Sequence, residues 1–223
     1  MKKNLIVAAS IAASCALAVV ASLAIAETAN NQAGSQQEFQ LPPGWTEEDM
    51  QACMLAGTPG EEHKKLAEAA GTWHGKVTMW MAPDTEPMPT SECTAKITPI
   101  MDGRFTKCEW TGEMPGMGPY NGFGLYGFDN VTKKYTSIWI DNHGTGMMQG
   151  EGERSAGGKV LTLTYTHSCP ITKKPAQIRS VETVTGPNTK TLEMFATDPK
   201  SGKEYKMMRA ELTKKEGAAQ AGG

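Results

Sequence analysis

From Thr72 to Thr213 apolar residues recur at every second position, and turn residues interrupt them at short intervals. An antiparallel sheet satisfies that pattern and a helical fold does not. The periodicity predicts strands at Trp73 to Met81, Ser91 to Ile100, Arg104 to Glu113, Gly122 to Phe128 and Lys134 to Asp141. It predicts further strands at Gly146 to Arg154, Val160 to His167, Gln177 to Thr185, Thr191 to Ala196 and Glu204 to Thr213. Asp102-Gly103, Asp129-Asn130, Gly157-Gly158, Gly186-Pro187-Asn188 and Asp198 to Gly202 supply the turns between them. No connection is long enough for a parallel crossover. The expected architecture is therefore all-β: a meander of about eight to ten strands that closes into a barrel, because open edges invite aggregation.

Two short helices are expected ahead of the strands. Thr46 followed by Glu47-Glu48-Asp49 reads as a capped helix start that stops by Gly57. A second helix is expected from Glu61 to Ala70, ended by Gly71. At the start of the chain, Lys2 and Lys3 precede an apolar run that ends in Ala24-Ile25-Ala26. This is the pattern of a cleavable secretory signal over residues 1–26. The run is long enough to serve as a membrane anchor, but its small residues and A-x-A site favour cleavage. Cys15 follows Ala12-Ala13-Ser14 and precedes more apolar residues, unlike a lipoprotein start. The expected organisation is a signal (1–26), a disordered linker (27–45), one barrel domain with its helices (46–215) and a disordered tail (216–223). The expected location is outside the cytoplasm, periplasmic or secreted. No second run could span a membrane once the signal is removed.

Without Lys2 and Lys3 the chain keeps 20 basic residues of its 22, against 24 acidic ones. That balance gives no reason to expect nucleic acid, which needs a basic face. Beyond Cys15 four cysteines remain, Cys53, Cys93, Cys108 and Cys169, an even number that makes disulfides possible in an oxidising compartment. No C-x-x-C spacing suggests zinc. An Asp102-Gly103 turn sets Cys93 opposite Gly112 and Cys108 opposite Ile97. The two thiols then share a face about 13 Å apart at strand rise, beyond the roughly 7 Å between Cα atoms that a disulfide tolerates. A bulge near Pro99 would close part of that gap, and Cys53 is another candidate partner, so the connectivity stays open.

Strand alternation places Tyr135, Ser137, Trp139 and Asp141 on one face, and Leu161, Leu163, Tyr165 and His167 on one face. Three stretches carry a likeness to a known family. These are Leu66 to Gly75 with its Gly71-Thr72-Trp73, Ile100-Met101-Asp102-Gly103-Arg104-Phe105, and Thr136-Ser137-Ile138-Trp139-Ile140-Asp141 followed by Gly144-Thr145. Together with Lys203-Glu204-Tyr205-Lys206 they resemble the bacterial family called domain of unknown function 1579, over about Glu61 to Lys215. The resemblance implies a lipocalin-like, calycin-type antiparallel barrel, with Trp73 closing one end. It also implies an Arg partner near the last strand, for which Arg209 is the candidate. The family brings no established reaction.

The barrel interior is the expected site, and Trp73, Trp110, Tyr126, Trp139, Asp141 and Tyr165 are its candidate lining. Aromatic rings give affinity for an apolar or amphipathic small molecule, and one or two polar groups give orientation. Asp141 could orient a ligand or cap the turn at Asn142-His143-Gly144. The alternatives are an envelope protein with a filled barrel, or a hydrolase or isomerase that pairs Asp141 with His143 or Glu109. No G-x-S-x-G elbow is present. The four histidines are expected at surfaces or turns, and no cofactor is implied. Methionine occurs 14 times, and thioethers suit Cu(I). Adjacent strand residues such as Met207-Met208 point to opposite faces, however, so the methionines are expected to fill the core rather than bind metal. The ligand and the oligomeric state are not legible.

Overall fold

A computed structural model of the chain describes residues 40–215. The expected signal, most of the linker and the tail lie outside the described residues. The rest divides into two compact units between Thr58 and Pro59.

The first unit carries α1 (Glu47–Ala56). Its start is the expected Thr46. The Asp49 N–H donates to the Thr46 hydroxyl at 3.1 Å and the Thr46 N–H to the Asp49 carboxylate at 2.8 Å, a reciprocal cap.

The second unit carries α2 (Glu61–Glu68) and ten strands: β1 (Gly71–Met79), β2 (Ser91–Ile100), β3 (Phe105–Met114), β4 (Gly118–Asp129), β5 (Lys134–Asp141), β6 (Met148–Arg154), β7 (Val160–Ser168), β8 (Pro175–Gly186), β9 (Thr189–Thr197) and β10 (Glu204–Lys214). Every strand pairs antiparallel with its neighbours in sequence, and β10 returns to β1 to close the barrel. The Asp102-Gly103 turn gives the expected register, with Cys93 opposite Gly112 and Ile97 opposite Cys108. No disulfide forms among the described residues. The β2–β3 ladder runs without a bulge, so nothing brings Cys93 and Cys108 into bonding range.

Alternation sends one face of each strand inward. Trp73, Val77, Ala95, Ala210 and Leu212 form one buried cluster, and Leu161, Leu163, Tyr165 and Ile178 form another. Leu66 of α2 packs into the second cluster, so α2 lies across the end of the barrel where β1 begins. His63, expected at a surface, is buried there. Its Nδ1 accepts the Gly60 N–H at 3.0 Å, and its ring meets Phe128 edge-on. No helix among the described residues is long and apolar enough to cross a membrane.

Two departures from strict alternation matter. β4 begins four residues before the sequence pattern suggests, at Gly118, and so includes Tyr120. In β10 the register shifts between Lys206 and Met208. This bulge places Met207 and Met208 both on the interior, where simple alternation would send one outward.

Candidate functional site

The barrel is hollow. Its interior holds a cavity of about 640 Å³, within the range of small-molecule sites. All six lining candidates, Trp73, Trp110, Tyr126, Trp139, Asp141 and Tyr165, border it. Glycine makes room for two of these rings. Trp139 stands opposite Gly124 on β4, where a Cβ would come within 2.6 Å of its ring. Tyr165 stands opposite Gly150 on β6, where a Cβ would come within 2.7 Å. A side chain at either position would push the ring into the cavity.

At the end away from α2, the Trp139 indole N–H donates to the Tyr120 hydroxyl at 3.0 Å. That hydroxyl donates to Asp141 Oδ2 at 3.3 Å. Burial, reinforced by the Asp141 charge, pushes the Tyr120 hydroxyl well above its ordinary pKa, so it stays a neutral donor. Asp141 Oδ1 accepts the backbone N–H of His143 at 2.9 Å. Asp141 therefore caps its turn with one oxygen and faces the cavity rim with the other. The His143 ring stacks on Tyr120 and turns its Nε2 to the Pro119 carbonyl at 3.2 Å, so the ring does not pair with the carboxylate. Glu109 lies on the outer face, ion-paired with Lys107 at 2.9 Å. Neither titratable pair expected of an enzyme forms.

Midway along the wall, the Tyr165 hydroxyl donates to Ser137 Oγ at 2.9 Å and accepts from Tyr126. Burial raises the pKa of both phenols. Among the described residues no buried side-chain polar atom lacks a partner, so the wall presents fixed dipoles rather than groups in search of a bond.

At the α2 end, the Trp73 indole N–H donates to the Ala69 carbonyl at 2.8 Å and ties the helix end to β1. Arg209 is not over its ring: it lies outside and pairs with Glu193 and Glu211, while two lysines stand over the indole, one of them Lys214 of β10 at 5.7 Å from the centroid. The nearer is Lys190, whose Nζ sits 4.6 Å from the ring centroid and 2.8 Å from Glu182 Oε2. Lys190 is 4% exposed, and both members of the pair line the cavity. The sequence pattern does not reveal Lys190, because β9 begins at Thr189, two residues ahead of the expected Thr191. It does not reveal Tyr120 either, because Gly118-Pro119 reads as loop.

Cys93 and Cys108 also line the cavity, and burial pushes both thiols up to about 11. At pH 8 only about one in a thousand of either is thiolate, the reactive form. In the turn after β7, bonds from the Thr172 hydroxyl and from backbone N–H groups hold Cys169 below its ordinary value. Cys169 is itself only 8% exposed, but it sits in a surface turn with a lowered pKa, so a charged aromatic disulfide reagent at pH 8, read by peptide mapping, is expected to modify it before Cys93 or Cys108. The latter two should react only after denaturation. Fast labelling of Cys108 in the native protein would contradict its burial.

The family model described as "Protein of unknown function (DUF1579)" matches residues 58–214. No curated protein matches the sequence. Among solved structures, the crystal structure of Rv2717c from M. tuberculosis is similar, with a TM-score of 0.54 and 13% sequence identity over 71% of this chain and 100% of that one. At that identity the likeness is one of fold.

Proposed function

Since the chain belongs to the DUF1579 family, whose description carries no activity, we propose a function from the barrel itself: it binds a small apolar or amphipathic molecule in the barrel interior. The hollow interior is the observation that carries this reading. A barrel serving only as a structural element gains stability by filling such a space, because cavities cost packing energy. Here glycines opposite Trp139 and Tyr165 hold the rings against the wall and leave the middle open. The Tyr120–Asp141 pair at one end supplies the polar group that would orient an amphipathic ligand. On the strength of the leader, the same proposal places the protein outside the cytoplasm.

Native and denaturing mass spectra of the protein from its own cells test this together. A mass excess that disappears on denaturation supports a bound molecule and gives its size. Equal masses, with no saturable fluorescence gain from N-phenyl-1-naphthylamine, would overturn the reading. The denaturing mass also reports whether the chain starts near Glu27. Asp141→Asn keeps an oxygen for the His143 N–H but removes the charge at the rim. It is expected to weaken retention of the co-purified molecule about tenfold, the scale of one charged hydrogen bond, with little change in Tm. Equal loss of stability and binding would mean that Asp141 serves the turn alone.

A further inference from the structure

The bulge in β10 has a chemical result. Met208 stands directly opposite Met79 on β1 and directly opposite Met194 on β9. Three methionines thus form a row across three adjacent strands, and all three border the cavity. Directly opposed residues in antiparallel strands have Cβ atoms about 5 Å apart, and each methionine adds a long, freely rotating arm. Met207, turned inward by the bulge, borders the same cavity beside the row. The objection that neighbouring strand residues cannot serve one ion fails at this position, since the bulge removes the alternation on which it rests.

We propose that Met79, Met194 and Met208, with Met207 beside them, form a thioether site for a soft monovalent cation, Cu(I) in particular, inside the barrel at the end away from α2. Four thioethers are neutral soft donors. Hard cations such as Mg²⁺ or Ca²⁺ require oxygen ligands and gain little from them, whereas Cu(I) is selected by sulfur. Among the described residues no group of three or more His, Cys, Asp or Glu could hold a metal instead. The nearer walls are apolar: Met79 and Met208 pack against the cluster of Trp73, Val77 and Ala210, and Met194 and Met207 against that of Leu163, Tyr165 and Ile178. An ion seated there would have half-buried thioethers and apolar walls as its nearest neighbours. Binding is a ligand exchange without change of oxidation state, so no redox partner is required. The site is independent of the apolar-ligand reading, because it rests on the row and not on the volume of the cavity.

The test is an anaerobic competition titration of the full chain against the Cu(I)–bicinchoninate complex, repeated with Ag(I) as a redox-inert probe. The wild type is expected to withdraw one Cu(I) per chain. Met194→Leu/Met208→Leu is expected to lose that binding. The exchange nearly conserves volume and costs little stability, which circular dichroism and Tm would verify. Met148 lies on β6, across the barrel, and Met148→Leu should bind as the wild type does. Three results would overturn the proposal: a wild type that withdraws no more copper than a methionine-poor control protein, a folded double variant that retains the ion, or an equal loss in Met148→Leu. Should the double variant fail to fold, the single variant Met79→Leu at the end of the row decides the matter by the same readout.

Discussion

Gly152→Ala is expected to lower stability by about 3 kcal/mol or more, the upper end of what overpacking costs, and with it the Tm by roughly 6–12 °C for a chain of this size. Gly152 on β6 faces Leu163 on β7. A Cβ there would lie 1.9 Å from the Thr162 carbonyl oxygen, 2.9 Å from its carbon and 3.0 Å from the Leu163 Cα. These are backbone atoms and cannot swing aside as a side chain can. Either β6 and β7 move apart and their ladder breaks, or the barrel distorts around them. Gly157, in the turn between the same strands, has nothing within 4 Å of the added atom. Gly157→Ala is expected to stay within about 0.5 kcal/mol of the wild type. Thermal and urea unfolding of the pair give the comparison. If Gly152→Ala matched Gly157→Ala, the close approach of β6 to β7 would be wrong.

Lys190→Ala is expected to cost about 2–3 kcal/mol. Breaking a buried ion pair from one side costs several kcal/mol because it strands the other charge. Glu182 retains 26% exposure, which brings the expected figure towards the lower end. The variant also removes the nearer of the two ammonium groups above Trp73, so the indole emission should shift. The double replacement Lys190→Met/Glu182→Leu removes both charges and is expected to recover most of the loss. If the double variant were as unstable as the single one, the cost would come from lost packing and not from the orphaned carboxylate. The pair has a bearing on function as well: it sets two charges that neutralise each other at the α2 end of the cavity, while at the other end the Asp141 carboxylate accepts from the Tyr120 hydroxyl.

The sequence is most legible where a turn fixes everything downstream. Asp102-Gly103 specifies the pairing of β2 with β3 residue by residue, and the observed partners Cys93–Gly112 and Ile97–Cys108 follow from it. The inward face of β7 is likewise readable, since Leu161, Leu163 and Tyr165 alternate with threonines, whereas on β5 the outward Ile138 and Ile140 are as apolar as the inward Trp139. What escapes is whatever depends on a break in the period. The bulge at Met207 inverts the side on which a methionine falls, and nothing in Tyr205-Lys206-Met207-Met208 announces it. Lys190 escapes for another reason. A lysine at a strand start reads as solvent-facing, and only the carboxylate of Glu182 on the adjacent strand makes its burial tolerable. The likeness to a known family suggested an arginine over Trp73. The chain supplies lysines there instead, Lys214 from the last strand and, closer to the ring, Lys190 from β9.

The closure of the barrel has a consequence for synthesis. Nine of its ten ladders join strands that follow one another, and each needs only its own hairpin to form. The tenth, between β1 and β10, cannot form until β10 has been made, about 135 residues after β1 ends. At about 5–20 residues per second that is a wait of roughly 7–27 s. Until that seam closes, β1 and β10 are bare strand margins of the kind that invite aggregation. A chaperone guarding this polypeptide would therefore have one seam to protect, and its task would end when Ala210 reaches Val77.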